Sequence, residues 1–352
     1  DEAIVFGDSA LTFAKNIGWQ KGEAEALLNI GDSFLQKGNI NNSLENFNKA
    51  LAIFKIIDDK PGVGNSLARI ANAYFNISDY PNSLKYFDQA LKIFLKIKDK
   101  KGIAKVYANI AIVYGTLKNH YTALQFFKNS LAVFEELKDS STIPVLLGNI
   151  GLIYTELKDY KKAISHFDKS LVVSKKIGDM YNYFLSMGNK GLTYSGMGKY
   201  MEAENCFILS LNYAVSIEDE YGIAFNYSNL GKLKLRMAGD KNQRYTTAQK
   251  QKFMGEAIDY LNTSIVKFTA LGMTNEQKNS LLALSDVYRL NNNYKAALKT
   301  YSDARKLQDS IFSESTKKMI AGMEIQQKLL MTEKEFELLN NENEYNAVYS
   351  KA

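Results

Sequence analysis

Residues 149–173 read NIGLIYTELKDYKKAISHFDKSLVV, and the rest of the chain repeats this stretch in kind. Asn149, Ile150, Gly151 and Tyr154 have counterparts forty residues apart: Asn29, Ile30, Gly31 and Phe34; Arg69, Ile70, Ala71 and Tyr74; Asn109, Ile110, Ala111 and Tyr114; Asn189, Lys190, Gly191 and Tyr194; then Asn229, Leu230 and Gly231. The second half keeps the same frame. Small residues fall at Ser43, Ser83, Ala123, Ala163 and Ala203, aromatics at Phe47, Phe87, Phe127, Phe167 and Phe207, and small residues again at Ala50, Ala90, Ser130, Ser170 and Ser210. Within each half, apolar and small residues return at intervals of three and four, which is the helical period. A self-similar period of this length is the mark of a stacked repeat. Each unit is read as helix A, a short turn such as LKDYKKA, helix B and a junction. The small residues let two helices approach closely, and the aromatic fills the space beside the crossing.

The junctions carry Asp59, Asp99, Asp139, Asp179 and Asp219, again forty apart. An aspartate there is expected to accept from the free N–H groups of the next helix and to suit its dipole. Gly22, Gly62, Gly102 and Gly222, just beyond, read as turn punctuation.

Composition agrees with long helices and narrows the chemistry. Of 352 residues, 46% are hydrophobic and 23% charged, a globular balance, and there are three prolines, which leaves helices uninterrupted. One cysteine, Cys206, excludes an intrachain disulfide framework and a cysteine-based metal site. Two histidines, His120 and His166, read as surface residues, and Cys206 beside Phe207 reads as a buried structural thiol. No phosphate loop, dinucleotide fingerprint or zinc-protease pattern occurs, so no enzyme, cofactor or metal is expected. The net charge of +6 is spread without a basic block, and the aromatics sit at core positions of the repeat, so nucleic acid is not an expected partner. No run of 18 apolar residues is present, so no membrane insertion is expected, and the opening DEAIVFGDSALTFAKNIG is unlike a signal peptide.

These tracks resemble the tetratricopeptide repeat family, whose pattern of a large residue, Gly or Ala, Tyr, then Ala, Phe and Ala is met by Ile150, Gly151, Tyr154, Ala163, Phe167 and Ser170. The period is forty where the common form has thirty-four, and the usual proline closing helix B is replaced by residues such as Lys55 and Lys175. Both departures fit the longer-helix subgroups, similar to kinesin light chain and the bacterial Rap-like regulators. The resemblance implies an all-α fold, a right-handed α-solenoid of stacked helix hairpins.

The frame divides residues 1–312 into a half repeat (1–20), units near 21–59, 60–99, 100–139, 140–179 and 180–219, a sixth at 220–272 with an insertion at 237–255, and a degenerate seventh at 273–312. Because the chain opens within a helix B, a longer natural N-terminus is expected. The insertion, AGDKNQRYTTAQKQKFMGE, reads as a solvated loop or helix extension. Residues 313–352 read as a long charged helix, a short coiled coil or a cap, through which a homodimer could form.

One feature outgrows packing. Asparagine is a mediocre helix former, yet it returns at Asn29, Asn109, Asn149, Asn189 and Asn229, with Arg69 in the gap. An amide both donates and accepts, which suits the backbone of an extended peptide. The family resemblance places helix A on the concave groove, with asparagines at this position gripping ligand backbone. Asn65, Asn72, Lys105, Lys232 and Arg236, within two turns of the column, join the candidate peptide- or partner-binding set. The competing reading is that each asparagine bonds to the neighbouring helix and holds the stack together. The expected function is a non-catalytic module that binds a protein or peptide. The repeat array followed by DSIFSESTKKM also resembles the sensory half of repeat-containing bacterial histidine kinases. A cytosolic scaffold or a Rap-like regulator of a phosphorelay or transcription factor is the alternative. The compartment follows the same split: periplasmic for the sensor, cytoplasmic otherwise.

Overall fold

The computed structural model describes residues 2–242 and 244–311. Among these it contains fifteen α-helices and no strand: α1 (Glu2–Asn16), α2 (Gln20–Gln36), α3 (Ile40–Ile56), α4 (Lys60–Asn76), α5 (Tyr80–Lys96), α6 (Lys100–Thr116), α7 (His120–Glu136), α8 (Ile143–Glu156), α9 (Tyr160–Ile177), α10 (Met180–Gly196), α11 (Tyr200–Ser216), α12 (Glu220–Ala238), α13 (Thr247–Ala270), α14 (Thr274–Leu290) and α15 (Tyr294–Ile311). The expected C-terminal helix over 313–352, and the homodimer contact through it, lie outside the described residues.

The helices end on a regular beat. Backbone φ is positive at Gly18, Gly38, Asp58, Ser78, Lys98, Lys118, Lys138, Lys158, Gly178, Gly198 and Glu218, one residue in every twenty. A single left-handed residue turns the chain sharply after a helix and satisfies its last carbonyls. At the following junction Asp59, Asp99, Asp179 and Asp219 accept from the backbone N–H groups of Gly62, Gly102, Asn182 and Gly222 at 2.9–3.0 Å. Asp139 departs from this pattern. It accepts from the Ser141 backbone and hydroxyl, and α8 starts only at Ile143. A start at Ser140 would set Pro144 in the second turn, where its ring strikes the carbonyl four residues back; the later start moves it into the first turn.

The core is the phenylalanine tracks. Phe47, Phe87, Phe127, Phe167 and Phe207 are almost wholly buried. The small residue of helix A is their seat: a Cβ at Gly31 would meet the Phe47 ring at 2.5 Å, one at Gly151 the Phe167 ring at 2.7 Å, and one at Gly191 the Phe207 ring at 2.8 Å. A second track, Phe54 and Phe94, lies against Gly62 and Gly102. These two glycines are therefore not turn punctuation. They lie inside the first turns of α4 and α6 and make room for a ring from the preceding helix.

The helices fall into two compact units, divided between Leu117 and Lys118. In the first, α1 to α6 pack each against the next where successive hairpins meet, and α2 touches α4 and α4 touches α6. In the second, α8 touches α10, α10 touches α12 and α12 touches α14, while the odd-numbered helices make no comparable contact with one another among the described residues. In both units the layer whose members draw together is the even-numbered one, so that layer is the inside of the curve. In the sixth hairpin, residues 239–246 connect α12 to a lengthened α13 that opens with a capping box between Thr246 and Gln249. The connection is tied down: Lys250 donates to the Asp240 carbonyl at 2.7 Å, and Arg244 reaches both Asp240 and the Gly198 carbonyl while lying over the Tyr200 ring.

Candidate partner-binding surface

All eleven candidate residues lie on even-numbered helices, and so on the inner layer of one unit or the other. In the first unit, Asn29 on α2 and Asn65 and Arg69 on α4 line one groove of about 670 Å³, open to solvent, together with Lys21, Glu25 and Asp59. Arg69 is not loose there: its Nε donates to Asp32 Oδ2 at 2.9 Å, joining α4 to α2. Lys21 Nζ meets Asp59 Oδ2 at 2.8 Å. Burial pushes the Asp59 carboxyl up, but hydrogen bonds from Lys21 and the Gly62 N–H, with the charge of Lys21, hold it below the usual carboxylate value. Asn72 is half-buried on α4, while on α6 Lys105 is exposed and Asn109 half-buried.

In the second unit the column sinks as it proceeds. Asn149 on α8 is half-buried, whereas Asn189 on α10 and Asn229 on α12 are 7% and 5% exposed. Among the described residues, none of the five column side chains makes a hydrogen bond within the chain, and Asn229 Nδ2 is buried without a partner. The competing reading, of asparagines stitching helix to helix, therefore lacks its bonds. The stitching is done by Arg69, at the column's own position, with Asp32, and beyond the column by the Thr155 and Thr193 hydroxyls at 2.7 Å and by Arg236 on α12, whose Nη1 donates to the Ser195 carbonyl of α10 at 3.4 Å. Lys232 is half-buried with no ion pair among the described residues, and burial pushes its ammonium below the usual range. The buried amides and the Lys232 ammonium on the inner helices of this unit are short of acceptors.

Other charged groups on α8, α10 and α12 are satisfied within the chain. Glu156 receives Lys118 Nζ at 3.0 Å and has His120 Nε2 at 3.4 Å. Lys190 pairs with Asp168 at 2.6 Å. Lys234, 7% exposed, lies between Glu204 at 2.7 Å and Glu256 at 2.8 Å. The Cys206 thiol is pushed up by burial, away from thiolate chemistry. Among the described residues no group of His, Cys, Asp and Glu could hold a metal ion, and no helix is long and apolar enough to cross a membrane.

The second unit also has a cavity that sequence reading passed over. It lies between α10, α11 and α12, with empty space of about 450 Å³ including its mouth, and is walled by Tyr181, Phe184, Tyr213, Tyr221 and Phe225. Phe184 and Tyr213 stack with centroids 4.4 Å apart. The signal in the sequence is that Tyr181 stands 160 residues, four whole repeats, after Lys21.

A sequence profile of the tetratricopeptide repeat matches residues 22–96 and 102–176. No curated protein matches the chain. Solved structures do. The apo form of the quorum sensor NprR from B. thuringiensis superposes with a TM-score of 0.64 at 16% identity, over 88% of this chain and 83% of that one. The apo form of RapI gives 0.62 at 17% identity, over 82% of this chain and 99% of that one. A Rap protein complexed with Competence and Sporulation Factor gives 0.59 at 17% identity, over 83% and 76%. At these identities the likeness is one of fold. Repeat frame, buried phenylalanine seats, profile match and superpositions agree: residues 22–96 and 102–176 carry tetratricopeptide repeats, and the described residues form an all-α repeat solenoid.

Proposed function

We propose that the inner faces of the even-numbered helices bind an extended peptide or a partner segment, and that the chain is a non-catalytic interaction module of a bacterial sensory or regulatory protein. The observation that carries this is the amide column, with no hydrogen bond of its own and a buried unpartnered donor at Asn229. A peptide backbone laid along α2, α4 and α6, or along α8, α10 and α12, would supply both acceptors and donors to those amides. The regulatory part of the reading is supported by two neighbours in fold: NprR is a quorum sensor, and the Rap protein was solved with Competence and Sporulation Factor bound. A cytosolic scaffold would use the same surface.

The test is a peptide-array and pull-down comparison of wild type with Asn109→Ala/Asn149→Ala/Asn189→Ala, with thermal unfolding of both. A variant that stays folded and loses a partner held by wild type supports the reading. Unfolding that fully accounts for the lost binding sinks it.

A further inference from the structure

The repeat lets one part of the molecule interpret another. The groove in the first unit and the aromatic cavity in the second occupy the same place in the repeat, four periods apart: Lys21 corresponds to Tyr181, Asp59 to Asp219, Pro61 to Tyr221 and Asn65 to Phe225. In both, the junction aspartate uses Oδ1 to cap the next helix, accepting from Gly62 in one and Gly222 in the other. The difference is at Oδ2. Asp59 Oδ2 holds the ammonium of Lys21 at 2.8 Å. Tyr181 stands where that lysine would be, and among the described residues no lysine or arginine pairs with Asp219.

The walls have changed to match. Where the first groove has a charged side chain and a proline, the second has Tyr181 and Tyr221, and Tyr213 and Phe225 line it with them. Asn226 lines the cavity, 2% exposed; its amide donates to Ser210 and to the Gly222 carbonyl, while its Oδ1 accepts from nothing. That oxygen lies 3.6 Å from where a Cβ on Gly188 would be. Burial raises the Tyr181 and Tyr221 phenols above their usual value, with the charge of Asp219 acting in the same direction on both. Aromatic rings, a carboxylate oxygen with no cation of its own and a buried unpartnered acceptor favour a cation over an anion.

We propose that the cavity between α10, α11 and α12 is a subsite for a basic side chain, the ammonium or guanidinium of a lysine or arginine in a bound peptide, received by Asp219 among the aromatic side chains that line it. It does for a partner what the first unit does for its own Lys21. The proposal rests on the reading of the inner surface as a partner-binding face and adds a side-chain preference to it.

The probe is N-acetyl-arginine amide, with N-acetyl-norleucine amide as the neutral control, titrated against the full chain by saturation-transfer NMR. The arginine amide is expected to bind saturably and the norleucine amide not to. Asp219→Asn keeps a side chain able to cap α12 and should weaken the arginine amide by about tenfold. Tyr181→Lys should abolish binding by supplying the cation from within, as Lys21 does. Two outcomes overturn the proposal: equal binding of both amides, or arginine amide binding unmoved by both substitutions. The column variant Asn149→Ala/Asn189→Ala separates the two readings. A folded variant that still binds arginine amide while no peptide partner depends on the column leaves the subsite standing and the groove reading fallen. A partner that needs the column yet ignores Asp219→Asn and Tyr181→Lys leaves the reverse.

Discussion

Two glycines on one helix should respond to the same substitution in opposite directions. Gly148 and Gly151 lie three residues apart in α8, both buried. Alanine at either gains about 1 kcal/mol of helix propensity over glycine, so that term cancels between them. A Cβ at Gly148 would have Ser186 Oγ as its nearest neighbour, at an ordinary 3.7 Å. One at Gly151 would meet three atoms of the Phe167 ring at 2.7, 2.8 and 3.0 Å, and that ring is 0% exposed, held on all sides. Inserting a methyl into such a contact costs about 1–3 kcal/mol. Gly148→Ala should therefore stabilise by up to ~1 kcal/mol, and Gly151→Ala should fall below it by about 1–3 kcal/mol. For a unit of this size that gap is roughly 2–4 °C in Tm per kcal/mol. The assay is thermal unfolding by far-UV circular dichroism, with fluorescence of the single Trp19 reporting the first unit separately. Equal shifts for the two variants, or a larger loss at Gly148, would refute the account of the small position as the seat of the phenylalanine.

Other outcomes follow from the described contacts. Lys234→Ala removes the cation between Glu204 and Glu256 and should destabilise the second unit by about 3–5 kcal/mol, with partial recovery when Glu204→Gln is added; chemical denaturation reads both. Asp219→Ala should cost about 1 kcal/mol through loss of the α12 cap and Asp219→Asn much less, by the same measurement. Asp59 is held below the ordinary 3.8, so its contribution is complete above that value and lost as pH falls through its lower folded pKa; Lys21→Met should flatten the first unit's acid limb below pH 3.8 in Trp19-detected unfolding. His166, whose ring lies 5.3 Å from that of Tyr154, is held below 6.5 first by burial and then by the charges of Lys169 and Lys128, against a bond to the Lys162 carbonyl. Its neutral form is favoured on folding, so stability should decline as pH drops below 6.5, and His166→Asn should remove that slope.

The fold was legible because the repeat reports its own core. The small, aromatic and small positions that kept frame in the sequence are the buried ones in the structure, from Phe47 to Phe207. What the tracks could not convey was direction and exchange of roles. Gly62 and Gly102 looked like turn residues, since a glycine after an aspartate does so locally; only the packed helices show Phe54 and Phe94 lying against them. The left-handed residues escaped notice because most are not glycine: Asp58, Ser78, Lys98 and Lys158 share a conformation and no chemistry. The late start of α8 depends on where Pro144 falls relative to the helix, not on Asp139 alone. At the surface, the asparagine column was visible as a repeated residue, but its loss of exposure from Asn149 to Asn229 was not. The aromatic cavity was hidden because it is a break in a pattern: the sequence shows Tyr181 only as one more tyrosine until Asp59 and Lys21 show what the position does elsewhere.

Within each unit, every described helix touches its immediate neighbours and, on the inner side, the next but one. Among the described residues of a unit no contact ties a hairpin to a distant part of the chain, so cooperativity there passes only from neighbour to neighbour, as in a one-dimensional lattice. Hydrogen exchange should then be graded along the stack, with protection falling toward free ends, and no single opening energy should describe the chain. A ligand laid across several hairpins would supply the missing long-range tie. It would act as a splint, slowing exchange in every hairpin it crosses and leaving those beyond its ends unchanged, so that the footprint of protection measures the length of ligand held.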